Sequence, residues 1–271
     1  MNRSDNNERN DRIFDIIVRS YIETAEPVGS RTISKRYDLG LSPASIRNVM
    51  ADLEEHGLIA QPHTSAGRVP TDRGYRYWVD ELMQPEGLNN SEKRRVHEEL
   101  EKAKTIENLA ERVSKLISAL TDNAAILYFK NLKRVSFLNI LLNDMVEAQR
   151  FEEFLEEEPE LFIEGVFRMF EQPEFQNVSL VRGLLQAFEQ KYDLFEIFNK
   201  DLEEEGVQVH IGRETELGEL KDVSLVVKDC YAGRVAVGGV AVVGPKRMRY
   251  AKIISVVDYV ADTVTELMQR Y

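Results

Sequence analysis

The chain has very little of what many function classes require. One cysteine in 271 residues, Cys230, cannot close an internal disulfide, which fits a reducing compartment. It lies in an apolar run and reads as a small buried hydrophobe. The histidines, His56, His63, His97 and His210, are scattered, with no paired His/Cys/Glu spacing that would build a zinc site. No glycine-rich phosphate cradle lies between a strand and a helix, since Gly238-Gly239 is too short and sits inside a strand pattern. No serine elbow with its histidine and aspartate is visible, and the runs Glu152-Glu153 and Glu156-Glu157-Glu158 read as a solvated helix face. Enzyme, metal and cofactor readings therefore find no support. No apolar run approaches the ~20 residues that cross a bilayer, and the polar start Met1–Asp11 lacks a signal-peptide core, so a cytoplasmic protein is expected.

What is present concentrates near the N-terminus. In the run Ser42–Ile59, Ser42 is a good N-cap, Pro43 suits the first helical position and Gly57 a stop. Ile46, Val49, Met50 and Leu53 recur at i, i+3, i+4 and i+7, an apolar stripe for packing. The remaining faces carry Ser45, Arg47 and Asn48. Such side chains read base edges or grip phosphates when a helix N-terminus enters a major groove. Ahead of it, Asp11–Thr24 shows Ile13, Ile16, Ile17 and Tyr21 at helical spacing. Ser30–Asp38 reads as a second helix with Ser30 as N-cap, and Leu39-Gly40-Leu41 as the turn. Together these make a helix-turn-helix. Leu58–Ala60 and Arg68-Val69 then form a ribbon, or wing, around the loop Gln61–Gly67, where Gly67 supplies a backbone angle other residues resist. Thr71 or Asp72 caps a further helix through Tyr75, Trp78, Val79 and Leu82, whose aromatics read as core.

The net charge of −12 is neutral evidence on nucleic acid, because it is unevenly spread. Residues 31–78 hold seven Lys/Arg against five Asp/Glu, whereas residues 87–271 hold 24 against 33. An acidic remainder repels non-specific DNA and leaves binding to one small basic face.

The fold class expected is multi-domain α+β. Residues 1–84 form a winged helix-turn-helix domain, residues 85–120 a linker and long connecting helix, and residues 121–271 an α+β domain. The long helix, Glu92–Leu120, packs on its own domain or forms a dimer seam; its spacing supports either. Strands are expected at Ala124–Tyr128, Val135–Leu142, Val207–Ile211, Val223–Val227 and Arg234–Val243, the last with a turn or bulge at Gly238-Gly239. Helices are expected at Leu161–Phe170, Val178–Phe188, Leu194–Glu204 and through Ile253–Leu267.

At the ribbon the sequence becomes specific. Pro62-His63-Thr64-Ser65-Ala66-Gly67-Arg68-Val69-Pro70-Thr71-Asp72-Arg73-Gly74-Tyr75-Arg76 resembles the signature of the HrcA family of heat-inducible transcription repressors. Gly244-Pro245-Lys246-Arg247-Met248-Arg249-Tyr250-Ala251 resembles that family's GPTRMDYA segment, departing at Lys246 and Arg249. Gln172-Pro173-Glu174-Phe175 is a weaker match. The resemblance implies a cytoplasmic homodimer that represses chaperone operons of the groE and dnaK type from an inverted-repeat operator, the CIRCE element. It further implies a GAF-like regulatory domain, an inserted dimerising domain, the chaperonin GroEL as partner, and no cofactor. Between Leu142 and Leu161 this chain has only a short acidic connector where the family carries much of that insert.

For DNA contact the candidates are Arg47 and Asn48 on bases, and Ser42, Ala44 and Ser45 at the helix N-terminus. His63, Thr64, Ser65 and Arg68 are candidates on the ribbon, and Arg31, Lys35, Arg73 and Arg76 as phosphate clamps. Lys246, Arg247 and Arg249 bind an anionic ligand or partner, or tie their loop to the N-terminal domain. The alternative function is a ligand-responsive winged-helix regulator, with the α+β domain sensing a small molecule.

Overall fold

The computed structural model describes residues 3–64, 66–129, 160–190, 194–195, 197–198, 205–216, 218–233 and 235–268. The chain divides into two compact units, Met1–Gln84 with Lys246–Ala251, and Pro85–Pro245 with Lys252–Tyr271.

In the first unit, α1 (Arg3–Thr24), α2 (Ser30–Arg36) and α3 (Pro43–Glu55) precede a two-stranded antiparallel ribbon, β1 (Ile59–Ala60) and β2 (Val69–Pro70). Ile59 pairs with Pro70 and Ala60 with Val69. A short α4 (Asp72–Tyr77) follows and runs into a π-helical turn, Trp78–Leu82. The stripe Ile46, Val49, Met50 and Leu53 is buried with Ile13, Phe14, Ile17 and Val18 of α1 and Ile33 of α2. Each such side chain contributes about 1.5–3 kcal/mol when taken fully out of water.

The α2 cap differs from expectation. Gly29 holds the N-cap and makes no side-chain bond, while Ser30 is the first helical residue and buried. Thr71, not Asp72, caps α4: its Oγ1 accepts from Gly74 N at 3.0 Å and donates to Gly57 O at 2.6 Å. Tyr75 and Trp78 are core residues, and Trp78 Nε1 donates to Asp15 Oδ1 at 2.8 Å. Tyr77 donates its hydroxyl to Asp11, and burial together with that carboxylate pushes its pKa up to about 12.

The second unit opens with α5 (Asn90–Leu100) and α6 (Ile106–Thr121) in place of one long helix. Thr105 N-caps α6 by accepting from Asn108 N, so the chain is interrupted at 101–105. Buried Ala103 keeps the apolar spacing running across that break, which is why the spacing reads as continuous. The apolar side of α6 (Leu109, Ala110, Val113, Leu116 and Ile117) is buried within this chain, so the helix packs on its own unit.

A five-stranded antiparallel sheet follows, in the order β4-β3-β7-β6-β5. The strands are β3 (Ala124–Phe129), β4 (Glu160–Glu164), β5 (Gln208–Ile211), β6 (Val223–Ala232) and β7 (Val235–Pro245). Leu161-Phe162-Ile163, expected as helix, forms β4 instead, paired with Tyr128, Leu127 and Ile126; only α7 (Val166–Phe170) is helical there. Partnership with β3 settled what short apolar spacing leaves ambiguous. Val135–Leu142 and most of the acidic stretch 147–160 lie outside the described residues, as does much of 194–204.

No turn forms at Gly238-Gly239. β7 runs straight through, with Gly239 opposite Tyr128 on one side and Asp229 on the other. A Cβ there would collide with the Tyr128 hydroxyl, whose Cζ lies 2.6 Å away. Close approach therefore demands that glycine. The register shift lies on β6 at Cys230/Tyr231. Tyr128 donates to Asp229 Oδ1 at 3.0 Å and stacks on Phe198, centroids 4.6 Å apart.

Beyond α7 come a 3₁₀ turn (Pro173–Gln176) and α8 (Val178–Glu189), packed on one sheet face through Phe175, Leu184, Ala187 and Phe188. The closing α9 (Tyr250–Met268) lies along β6: Lys228 bridges Asp258 and Asp262, and Tyr231 N donates to Thr265 Oγ1. Cys230 is fully buried with its thiol toward Ala261 O, and burial pushes its pKa up. A buried, protonated thiol is inert, in keeping with the reading of Cys230 as packing. Lys252 of α9 pairs with Glu92 of α5 at 2.7 Å.

Candidate nucleic-acid interface

Local sequence chemistry places the outer face of α3. Ser42 Oγ accepts from Ser45 N at 3.1 Å and lies 3.0 Å from Ser45 Oγ, so both hydroxyls serve the cap. With the buried stripe turned inward, Ala44, Arg47, Asn48 and Ala51 are left exposed. Arg47 and Asn48 have no hydrogen-bond or ion-pair partner among the described residues, nor do the exposed Arg31 and Lys35 of α2 or Arg73 of α4. Turning these unpaired, solvated cations toward phosphate breaks no internal ion pair. The N-terminal dipole of α3 has the same sign.

The other predicted cations are engaged. Arg68, at the foot of β2, donates Nε to Glu54 Oε2 at 3.0 Å, with Nη2 at 2.8 Å. That pair straps the ribbon to the last turn of α3. Arg76 pairs with Asp80 one turn on, at 3.2 Å. Lys246 pairs with Asp72 at 2.8 Å, and Arg247 Nη1 donates to Ile22 O at 3.0 Å. Both are thereby held within the first unit, with Tyr250 buried against Tyr75, while Arg249 is exposed.

A groove of about 650 Å³ brings some of these groups together. Arg31, Arg47, Thr64 and Arg68 line it with Gln61 and Ala51. Ser42, Ala44, Ser45, Asn48, Lys35, His63, Arg73 and Arg76 do not line it, though His63 is exposed on the same loop. Ser65 lies outside the described residues.

The loop is braced at both ends. Val28 and Arg68 exchange two backbone hydrogen bonds of 2.9 Å, an isolated antiparallel bridge next to the ribbon. Gly67 is required there by closeness to Val28, whose carbonyl carbon would lie 2.5 Å from an added Cβ, and no left-handed angle is involved. At the other end Gln61 Nε2 donates to Thr64 O at 2.9 Å and to Ala66 O at 3.1 Å. Sequence reasoning missed Gln61, which belongs to no motif. It also missed Ala51, although i+4 spacing from Arg47 places Ala51 on the same face.

Comparison with known proteins decides the family. A repressor of Geobacter sulfurreducens, named heat-inducible transcription repressor HrcA, is 32% identical, with 98% of this chain and 99% of the relative covered. This chain belongs to the HrcA family. The Carboxydothermus hydrogenoformans protein of the same name is 35% identical, covering 96% and 98%. Residues 130–254 match the family described as HrcA protein C terminal domain. The Geobacter match extends over 339 residues against 271 here, so that HrcA carries residues this chain lacks. A crystal structure of a hypothetical protein shares the fold, with a TM-score of 0.71 at 20% identity, over 97% of this chain and 98% of that one. Among the described residues no group of His, Cys, Asp and Glu could hold a metal, and no helix is long and apolar enough to cross a membrane.

Proposed function

We propose that this chain represses heat-shock transcription by binding, as a homodimer, an inverted-repeat operator of the CIRCE type ahead of chaperone operons. The class of function follows from the family, whose members are heat-inducible transcription repressors: the chain is a negative regulator of transcription and not an enzyme.

The observation that carries the DNA reading is the outer face of α3, where Arg47 and Asn48 stand exposed and unpartnered beside a groove closed by the ribbon loop. α2, α3 and the ribbon together read as a winged helix, with α3 in the major groove. Arg47 reaches guanine O6 and N7, Asn48 adenine N6 and N7, and Ala44 a thymine methyl. The Ser42-capped helix end, with Ser45, meets a phosphate. Arg31, Lys35 and Arg73 clamp the backbone, and His63, Thr64 and Ser65 approach it or the minor groove. Arg68 and Arg76 act as struts, bonded to Glu54 and Asp80. Lys246 and Arg247 tie their loop into the DNA-binding unit.

The antiparallel sheet with helices against it supports a GAF-like reading of the second unit. Two-fold symmetry of the homodimer matches that of the operator. Heat depletes the binding-competent state, and GroEL in the cytoplasm restores it. Fluorescence anisotropy with a CIRCE duplex and a scrambled duplex, across a salt series, tests the reading. Preference for the repeat by about 10³ or more is expected. Equal, weak binding to both, with and without GroEL, refutes it.

A further inference from the structure

Among the described residues of the second unit, the large apolar side chains left open to solvent are Phe167 (78% exposed) on α7, and Val178 (79%) and Leu185 (43%) on α8. Those on α8 belong to a stripe. Val178, Arg182, Leu185 and Glu189 recur at i, i+4, i+7 and i+11, so they share one helix face, and all are exposed. Leu184, Ala187 and Phe188 point the other way, into the core. Neither Arg182 nor Glu189 has a partner among the described residues. A solitary exposed leucine needs no explanation, but Val178 and Leu185 aligned on one helix face with two unpaired charges mark an interaction surface.

We propose that this face docks a second copy of the chain, α8 against α8, about a two-fold axis. The inference rests on the repressor reading only for why a dimer is needed. Charge complementarity argues for self-association. An isologous contact must carry both members of each pair in one patch, and this stripe does. With an antiparallel crossing midway between Arg182 and Leu185, the stripe maps onto itself. Val178 then faces the partner's Glu189, and Arg182, one turn along, reaches that carboxylate from the side. The axis repeats the contact, so two Arg–Glu pairs bracket a centre formed by Leu185 and the partner's Leu185. A partner protein bearing charge of one sign would match only half of the stripe. Two helices packed along one stripe make an interface at the small end of the range, and association on the order of micromolar or weaker is expected.

Sedimentation equilibrium on the full chain without DNA, from nanomolar to tens of micromolar, tests this with Arg182→Glu, Glu189→Arg and the double exchange. Each single substitution replaces two attractions by two repulsions and is expected to weaken the dimer by about tenfold or more. The double exchange is expected to restore it. Circular dichroism confirms that each variant is folded. If a charge variant does not fold, Leu185→Ser takes its place, with the same loss expected. A wild-type chain that stays monomeric, a dimer indifferent to the single substitutions, or a double exchange that restores nothing overturns the proposal. Because DNA is absent, none of these outcomes depends on operator recognition. Conversely, an intact dimer that fails to prefer the operator faults the DNA reading alone.

Discussion

Replacing Arg47 by alanine isolates base recognition better than any other change in this chain. Arg47 is exposed on α3 and bonded to nothing among the described residues, so its removal breaks no internal contact. Stability should therefore stay within about 0.5 kcal/mol of the parent. A bidentate arginine–guanine contact is worth about 1–3 kcal/mol of discrimination, and a dimer presents Arg47 twice. The expected loss on the operator is then about 2–6 kcal/mol, roughly 30-fold to 10⁴-fold in Kd. On a scrambled duplex only phosphate attraction is lost, and the change should be far smaller. Lys35→Ala is the contrasting control. It should weaken binding to both duplexes alike and lower the salt slope by about 1.8, two phosphate contacts at about 0.9 each. Anisotropy titrations on both duplexes across a salt series measure all of these quantities. Equal losses for Arg47→Ala on operator and scrambled DNA, or no loss on either, would refute the assignment of α3 as the base-reading helix.

Gln61→Ala should reduce operator affinity with little change in melting temperature, because Gln61 splints the loop carrying His63 and Thr64 without touching the core. Restoration by Gln61→Asn would refute this, since the shorter side chain cannot span to both carbonyls. Gly239→Ala should destabilise the chain by about 1–3 kcal/mol in urea denaturation, through overpacking against the Tyr128 ring. Combined with Tyr128→Phe, the cost should be less than the sum of the single effects, as the hydroxyl it meets is gone. Stability should also fall in acid through Glu92. Its hydrogen bond from Lys252 holds its pKa below the ordinary 4.5, so this contribution is complete above pH 4.5 and is lost as pH drops through the lower folded value. Glu92→Gln should flatten that part of a stability–pH curve, and an unchanged curve would remove Glu92 from the account.

The recognition-helix candidate was legible because everything that makes it is local. A Ser42 cap, Pro43 in the first turn and a 3.6-period stripe require no knowledge of the rest of the chain, and the structure has each of them. The same holds for the Thr71 cap and for Val178–Glu189 as a helix. Local signals failed where two arrangements share a pattern. Ala103 continues a helical spacing across a break, and Leu161-Phe162-Ile163 is apolar enough for helix or strand until β3 offers a partner.

Charge was the least legible property. Composition shows how many arginines and lysines lie near the ribbon but not which are already bonded. Only tertiary structure separates Arg31, Lys35, Arg47 and Arg73 from Arg68, whose partner Glu54 lies 14 residues away, whereas the Arg76–Asp80 pair is a local i,i+4 contact. Tertiary structure alone brings Lys246 to Asp72 and Arg247 to the end of α1. The amino-acid sequence by itself thus determined the helices with strong caps, the apolar stripes and the family. The tertiary structure decided strand partners, the glycine that Tyr128 demands and which cations remain free. Those depend on atoms far apart in the chain, whose meeting no local pattern encodes.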